Sequence, residues 1–328
     1  MDQERFFQVL RGYWESAILF TAVKLGIFDL LSKEELSSEE VAKKLSLDPR
    51  GAEILLNALT SLGFLTKKKG RFSPSAFTRK HLTGRGGDSW TGFVLHNMDM
   101  WGSWGDLPYV VRKGKPRKGF ATLNYRTGRD SLRNFALAMH QGGTRGGKEV
   151  ARLLEGMRAD SILDVGGCTG RYALFAKRVT GAGKATVLDL PEMVRVAKRI
   201  IRETAPDEAR ELRFLEGDFF SVSLPPEYDL VIVSNILHSL DTSSCVDLLK
   251  KCRSWMKKGG TCIVHDLYVA PSGVTPERAS LFAVNMLVNT EKGRVYSERE
   301  MVTMARDAGF RSIRRKKTSS GNLVLFCS

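Results

Sequence analysis

Acidic residues stand at two successive strand ends in the middle of the chain, beside a glycine-rich turn. The segment DVGGCTG, residues 164–170, lies between a predicted strand and a predicted helix, and its glycines allow a tight turn that approaches a ligand closely. Asp164 precedes the first glycine, where its carboxylate can bond an amino group. Asp189 ends the next strand, 19 residues after Gly170, where a carboxylate can accept hydrogen bonds from both hydroxyls of a ribose.

A third acid extends the pattern to the following strand. Asp218 comes after the run LRFLEG and before Phe219 and Phe220, which are expected to sandwich a flat base. The turn lacks the GxGxxG spacing of a dinucleotide fingerprint, and no P-loop lysine follows it, which argues against phosphate binding. Ligands of open α/β sheets bind at the carboxyl ends of the strands, so the three acids predict a nucleoside site. Ordinary N-caps and turn acids stay an alternative, above all for Asp218.

From about residue 158 onward, short β-rich runs alternate with helical segments. The runs are SILDVGG, KATVLDL, LRFLEG, YDLVIVSNI and GTCIVHDLYV. This alternation predicts parallel strands joined by crossover helices in a doubly wound α/β sheet. The final stretch, FRSIRRKKTSSGNLVLFCS, predicts an antiparallel hairpin at the edge of that sheet.

The first 85 residues predict helices followed by a small hairpin. Ser37 with Glu40 fits a capping box, and Asp48-Pro49 fits the start of another helix. Two short strand-like runs then surround a Lys-Gly turn in FLTKKKGRFSPS. Three helices and a hairpin predict a winged helix. Its would-be recognition helix, PRGAEILLNALTSLG, has few charged side chains, so we interpret it as a packing helix rather than a DNA reader.

Residues 86–150 are rich in aromatic, glycine and basic residues. Two glycine pairs, Gly142-Gly143 and Gly146-Gly147, are expected to break or bend any helix in this region.

Composition indicates a globular chain of about two domains. The chain has 328 residues, of which 42% are hydrophobic and 27% charged. No apolar run reaches the ~18 residues that a membrane helix needs, and the N-terminus MDQERFFQVL lacks the features of a secretory signal. The five cysteines form no CxxC pair, which favours the reducing cytoplasm. We therefore expect no integral membrane segment.

The net charge of +15 is unevenly distributed. Residues 51–150 carry 17 basic and 6 acidic side chains, a net charge of +11. A basic excess of this kind attracts nucleic acid, membrane surfaces or anionic small molecules. Because the acidic motifs above lie elsewhere, we interpret the excess as favouring an anionic acceptor, or one delivered from an anionic surface.

Five motifs together carry a family resemblance. DVGGCTG, VLDLPEMV, LEGDFF, ILHSLDTSSC and KKGGTCIVHDLYV resemble the successive motifs of class I S-adenosylmethionine-dependent methyltransferases. More narrowly, nearly the whole chain resembles the caffeate/acetylserotonin-type O-methyltransferases. The resemblance implies a homodimer with an α/β fold: a mainly helical winged-helix dimerisation domain (1–85), a helical connecting and acceptor-pocket segment (86–157), and a Rossmann-like methyltransferase domain (158–328) with a mostly parallel seven-stranded sheet.

The resemblance also implies a cofactor site for S-adenosylmethionine. Its glycines line the methionine part, Asp189 holds the ribose, and Asp218 with Phe219 holds the adenine. Cys168 stands where the family usually has glycine, which is expected to alter the pocket floor or weaken cofactor affinity. The complete predicted cofactor set is Asp164, Gly166, Gly167, Gly170, Asp189, Leu190, Asp218, Phe219 and Ser234, the last at a position where plant members often have a lysine. No metal is expected.

Methyl transfer from a sulfonium mainly requires alignment of donor and acceptor and a more nucleophilic acceptor oxygen. His238, just after the fourth strand, matches the family's catalytic base, and a histidine suits the deprotonation of a phenol. Asp266, which ends strand five, matches an orienting acid. The place of the family's second orienting acid falls at Val295, and Glu291 or Glu298 is a candidate substitute.

The acceptor pocket is expected to suit a small, flat, largely apolar aromatic or polycyclic molecule. Met and aromatic residues at helical spacing are often plain core, so core packing stays an alternative for each of them. The predicted set is His96, Asn97, Met98, Trp101, Phe135, Met139, Phe282, Met286 and Asn289, with His140 as a weaker candidate.

Three other functions stay open at this point. The same scaffold supports carbon methylation or other S-adenosylmethionine-using chemistry. A nucleic-acid methyltransferase would use the basic region, although SNILHSL stands where amino-group methylation would need an Asn/Asp-Pro-Pro-Tyr-like motif. A non-catalytic winged-helix regulator would need a DNA-reading helix. We therefore predict an O-methyltransferase without a nucleic-acid partner.

Overall fold

The computed structural model describes residues 1–84, 89–117 and 129–328. The chain divides into two compact units, Met1–Asp99 and Met100–Ser328. No helix among the described residues is long and apolar enough to cross a membrane. All five cysteines are buried free thiols.

The first unit is helical with one antiparallel hairpin. Ser37 and Glu40 form both bonds of a capping box, and the Asp48 side chain caps the helix that begins at Pro49, as the sequence predicts. Gly26, in a left-handed conformation with φ of 72°, separates the first two helices. The elements are α1 (Gln3–Lys24), α2 (Ile27–Leu31), α3 (Ser38–Leu45), α4 (Pro49–Ser61), β1 (Leu65–Lys68), β2 (Arg71–Pro74), α5 (Ala76–His81) and α6 (Thr91–Asp99).

The second unit is built on a seven-stranded sheet with helices between its strands. Its helices are α7 (Trp101–Gly105), α8 (Leu107–Lys113), α9 (Arg129–Leu153), α10 (Arg171–Thr180), α11 (Pro191–Thr204), α12 (Thr242–Trp255), α13 (Glu277–Asn289) and α14 (Glu298–Asp307). Its strands are β3 (Ser161–Val165), β4 (Lys184–Asp189), β5 (Arg213–Glu216), β6 (Tyr228–Ser234), β7 (Met256–Asp266), β8 (Tyr268–Val269), β9 (Tyr296–Ser297), β10 (Ile313–Lys317) and β11 (Leu323–Cys327).

The parallel direction of five strands brings the predicted motifs to one edge of the sheet, where these strands end. The order is β10-β11-β7-β6-β3-β4-β5, and β7, β6, β3, β4 and β5 run parallel. Their carboxyl ends therefore meet at the same edge. The antiparallel strands β11 and β10 lie beside β7, with β10 outermost in the sheet. This arrangement confirms the predicted terminal hairpin and the mostly parallel α/β sheet.

The core lies on both faces of this sheet. One buried cluster joins β6, β7 and β11 to α12 and α14 and includes Trp255 and Tyr296. The other joins β3, β4 and β6 to α9 and α10 and includes Leu154 and Leu174. Central strands buried on both faces explain the near-continuous apolar runs in their sequence.

The expected break at the glycine pairs of α9 is wrong. The helix runs unbroken through all four glycines, because α10 packs directly against Gly143, Gly146 and Gly147. A Cβ at Gly146 would overlap the Tyr172 hydroxyl, and one at Gly147 would lie 2.8 Å from Phe175 Cδ2 and 3.0 Å from the Arg171 carbonyl oxygen. The glycines therefore allow close helix packing, and this packing outweighs their low helix propensity.

Substitution of Gly147 tests this packing. An alanine in an open helical position stabilises by up to about 1 kcal/mol relative to glycine, whereas Gly147→Ala is expected to lower the free energy of unfolding by about 1–3 kcal/mol through overpacking. Denaturant unfolding measures the change. Gly12→Ala in α1, where a Cβ would meet nothing within 4 Å, is the matched control. Equal effects of the two substitutions would contradict the packing role.

Candidate active site

The glycine positions of the turn between β3 and α10 leave no room for a side chain. Gly166 and Gly170 have φ values of 64° and 71°, in the left-handed region that favours glycine. A Cβ at Gly167 would lie 2.5 Å from Asp164 Cγ, and one at Gly170 would lie 2.7 Å from Val187 Cγ2. The turn is thus packed where side chains would project, while Gly166 and Gly167 remain partly exposed.

Asp164 lies beneath this turn, and only one of its two carboxyl oxygens has a hydrogen-bond donor among the described residues. Its Oδ2 accepts a hydrogen bond from the Ala173 backbone N–H at 3.1 Å, whereas Oδ1 is buried and has no partner among the described residues. Burial raises the pKa of Asp164 to about 7. A buried oxygen without a donor is expected at a site that a ligand or water completes, which fits the predicted cofactor.

Asp189 connects the end of β4 to the glycine turn. Its Oδ2 accepts from the Cys168 N–H at 2.8 Å and its Oδ1 from the Leu190 N–H at 2.8 Å. Each oxygen keeps a lone pair that can accept a ribose hydroxyl. Burial is the largest influence on this acid and raises its pKa to about 6.

Cys168 turns its side chain away from the open side of the turn. Its φ of 50° is left-handed, and its thiol is buried 3.5 Å from Met193 Sδ. The side chain belongs to a cluster that α9 and α11 supply, so it fills the core beneath the turn rather than standing on the turn's outer surface.

The expected sandwich of a base between Phe219 and Phe220 is wrong. Their ring centroids are 4.7 Å apart, with ring planes at 64°, so the two rings pack edge to face and present no parallel pair of faces. Phe219 borders the glycine turn, 3.9 Å from where a Cβ of Gly166 would lie. Asp218 caps this segment by accepting the Phe220 N–H at 2.8 Å.

Ser234, at the end of β6, is engaged inside the protein. Its hydroxyl lies 2.8 Å from His265 Nδ1 and accepts a hydrogen bond from the Asn235 amide at 3.2 Å. Position 234 therefore provides no long cationic side chain that could contact a cofactor.

His238 and Asp266 form a hydrogen-bonded pair at the carboxyl end of β6 and β7. His238 Nδ1 lies 2.6 Å from Asp266 Oδ1, and the His238 backbone N–H donates to Asp266 Oδ2 at 3.2 Å. Because an ionised carboxylate only accepts, Nδ1 carries the proton and Nε2 is the acceptor. The Phe282 ring packs edge to face against the imidazole, with centroids 5.0 Å apart.

Asp266 is the orienting acid that the structure places against His238. Val295 is buried, and its neighbour Arg294 donates a backbone N–H to the His238 carbonyl oxygen at 2.9 Å. Of the two candidate substitutes for the second acid, Glu298 pairs with Arg315 at 3.1 Å, and Glu291 is exposed.

The predicted acceptor residues fall on several elements. His96, Asn97 and Met98 lie on α6 of the first unit, where the Asn97 amide donates to the Phe93 carbonyl. In the second unit, Phe135 and Met139 pack in the Cys168 cluster beside the glycine turn. Phe282, Met286 and Asn289 share α13, and Trp101 on α7 is about half exposed.

His140 has a different place from the one expected. It is buried between the glycine turn and α11, with Nδ1 3.1 Å from Thr169 Oγ1 and Nε2 3.3 Å from Thr204 Oγ1. Burial lowers its pKa to about 4, so it is neutral and supports the turn rather than an acceptor.

Sequence analysis missed a polar group on α13. Asn285 Oδ1 accepts from Trp104 Nε1 at 3.2 Å and from Asn289 Nδ2 at 2.9 Å. Asn289 Oδ1 in turn accepts from the Ser103 hydroxyl at 2.7 Å. The spacing of Phe282, Asn285 and Asn289 on one helical face is a signal that could have found it.

Comparison with known proteins decides the family. Residues 104–311 match the O-methyltransferase domain, and residues 7–84 match the O-methyltransferase dimerisation domain. The chain belongs to the O-methyltransferase family. This O-methyltransferase is 28% identical to an acetylserotonin O-methyltransferase of Mus musculus, over 96% of this chain and 86% of the relative. It is 29% identical to the 3-hydroxy-5-methyl-1-naphthoate 3-O-methyltransferase of Streptomyces sahachiroi, over 94% and 90%.

A solved structure supports the same assignment. The O-methyltransferase resembles the human N-acetylserotonin methyltransferase, solved in complex with S-adenosylmethionine, with a TM-score of 0.88 and 26% identity over 100% of this chain and 98% of that one. The predicted family, fold class and enzyme class are confirmed, as is S-adenosylmethionine as the methyl donor.

The raised pKa of Asp189 predicts pH-dependent cofactor binding. With Asp189 as the ribose ligand that the resemblance implies, ribose hydroxyls bind its ionised carboxylate better, so affinity for S-adenosylhomocysteine is expected to fall by up to about tenfold per pH unit below pH 6. Titration calorimetry between pH 5 and 8 measures this.

Asp189→Asn is the control for that experiment. It is expected to bind more weakly at neutral pH and to lose the step near pH 6; a residual step near pH 7 would belong to Asp164. An affinity of the unaltered enzyme that does not change from pH 5 to 8 would contradict the role of Asp189.

Proposed function

We propose that this O-methyltransferase transfers a methyl group from S-adenosylmethionine to a hydroxyl of a small aromatic or polycyclic molecule, with His238 as the general base. One contact carries the proposal. A Cβ at Gly166 would lie 2.6 Å from Ile236 Cδ1, so the glycine turn touches the loop that presents His238 two residues later. The cofactor turn and the base are therefore neighbours at the same sheet edge.

The turn and the strand ends provide a fitting cradle for the donor. Asp164 offers an unpartnered carboxyl oxygen, Asp189 offers lone pairs to the ribose, and Phe219 offers an aromatic surface beside Gly166. The proposal also includes the other predicted cofactor residues, Leu190, Asp218 and Ser234, on the sequence pattern. When bound, the donor supplies an electrophilic methyl group on a sulfonium with a good leaving group.

His238 is held in the state that a base needs. Asp266 fixes the protonated Nδ1, so Nε2 carries the free lone pair and can take the proton of an acceptor hydroxyl. Asp266 also stabilises the imidazolium that this proton transfer creates. The edge contact with Phe282 restricts rotation of the imidazole.

The α13 face supports a flat acceptor. Phe282 supplies apolar surface next to His238, and Met286 lies one turn further along α13. Asn285 leaves its amide nitrogen without a hydrogen bond to any residue that the structure describes. The acceptors named for two relatives, acetylserotonin and a hydroxynaphthoate, are aromatic molecules that carry oxygen groups. We include the other predicted acceptor residues, and an anionic acceptor, in the proposal on the sequence pattern alone.

A second copy of the chain is the proposed partner. The N-terminal helix exposes a continuous apolar surface, and the region matches a dimerisation domain. Exposed apolar residues of this density mark protein interfaces. The residues are Phe6, Phe7, Val9, Leu10, Tyr13 and Trp14 on α1. A cytoplasmic location stays part of the proposal, supported by the five free thiols.

A charge in the α1 surface tests the dimer. Leu10→Glu is expected to shift the enzyme from dimer to monomer in sedimentation velocity at micromolar concentration, because an interface core tolerates an unpaired charge poorly. Gln8→Glu adds the same charge elsewhere on α1 and is expected to stay dimeric. Dimers in both variants would remove α1 from the interface.

Replacement of His238 tests base catalysis. His238→Ala and His238→Gln are each expected to lower kcat on phenolic acceptors by on the order of 10²–10⁴-fold, with an unchanged dissociation constant for S-adenosylhomocysteine. A library of phenols, with naphthols included, supplies the assay. Turnover that survives in both variants would point to catalysis by alignment alone or to methylation at carbon.

A further inference from the structure

Asn235 holds an unusual backbone conformation just before the catalytic loop. It follows the last residue of β6 and has a φ of 57°, in the left-handed region that costs most non-glycine residues free energy. Its backbone N–H donates to the His265 carbonyl oxygen at 2.8 Å. His238 comes three residues later, so this conformation sets the direction in which the loop leaves the sheet.

The Asn235 side chain is fixed by a buried polar network. Its amide nitrogen donates to the Tyr172 hydroxyl at 3.0 Å and to the Ser234 hydroxyl at 3.2 Å. His265 Nδ1 lies 2.8 Å from the same Ser234 hydroxyl, and His265 Nε2 lies 3.3 Å from the Asn322 amide. Because the Asn322 amide donates to Nε2, Nδ1 is the donor to Ser234.

Tyr172 belongs to the other side of the active site. It lies in the first turn of α10, two residues after Gly170, and its hydroxyl packs where a Cβ of Gly146 would otherwise stand. Desolvation, with smaller contributions from Asp164 and Asp266, raises the pKa of Tyr172 to about 12. The hydroxyl is thus neutral, and the negative charges of both acids contribute to its raised pKa.

We propose that the hydrogen bond between Tyr172 and Asn235 is a positioning device that ties the donor-binding glycine turn to the loop that carries His238. The inference rests on the proposed role of His238 as base. Tyr172 is fixed by the turn and by α9, and Asn235 sets the start of the catalytic loop. The bond therefore aligns the base with the donor's methyl group, and neither residue needs to touch donor or acceptor.

Two substitutions remove this bond from opposite ends. Tyr172→Phe keeps the ring and its packing, and Asn235→Gly keeps the left-handed conformation accessible while removing the amide. Each is expected to lower kcat roughly 5- to 50-fold, with the S-adenosylhomocysteine dissociation constant changed less than about twofold. The double variant is expected to lose no more than the worse single variant, since both remove the same interaction.

Tyr228→Phe is the matched control. Tyr228 is also buried but lies at the opposite end of β6, so its loss of a hydroxyl is expected to leave kcat unchanged. Three results would each overturn the proposal. They are losses of kcat that multiply in the double variant, an unaltered kcat in both single variants, and a loss of donor affinity as large as the loss of kcat.

A third comparison separates this inference from the proposed function. In a His238→Ala background, Tyr172→Phe is expected to have no further effect on residual turnover, because there is no base left to align. A further 5- to 50-fold loss there would show that Tyr172 acts independently of His238 and overturn the inference. High turnover of His238→Ala itself would instead overturn the base mechanism.

Discussion

The close approach of backbone segments around the glycine turn is the constraint on which the active site depends. Gly166 contacts Ile236 of the loop that carries His238, and Gly170 contacts Val187 of β4. A methyl group at either position would push the turn away from its neighbours. Because interiors are packed to crystal-like density, such a displacement would also move His238. The same principle acts behind the turn, where α9 approaches α10 through its glycines.

Electrostatics of the site follow from burial rather than from net charge. The protein carries a charge of +15, yet the groups at the carboxyl edge of the sheet are acids and histidines, and burial lowers the pKa of His265 to about 4. Asp164 and Asp189 are held by backbone N–H donors, and burial raises the pKa of both. Bonds from a ligand to a partly desolvated carboxylate are stronger than in water, so these acids suit recognition of an uncharged ribose and of an amino group.

Sequence reasoning succeeded where local chemistry dictates structure. The capping box at Ser37 and the strand–turn–helix at Asp164 depend on neighbours in the chain, and the structure contains both. The predicted helix break at Gly146 was wrong, because a helix fifteen or more residues later supplies the packing that keeps the glycines helical. The expected sandwich of a base between Phe219 and Phe220 is wrong for a related reason: the angle between the two rings follows from side-chain packing, which residue spacing does not contain.

The sequence by itself determined the order of strands and helices and the acids at three strand ends. These follow from residue type and spacing, since parallel strands bring their carboxyl ends to one edge. The family resemblance of its motifs added His238 with Asp266 as a pair to be tested. Only the tertiary structure decided that Asp266 is the acid that holds His238, and that Tyr172 meets Asn235. Such contacts join residues 28 and 63 positions apart, and their geometry arises from the packing of the sheet against its helices.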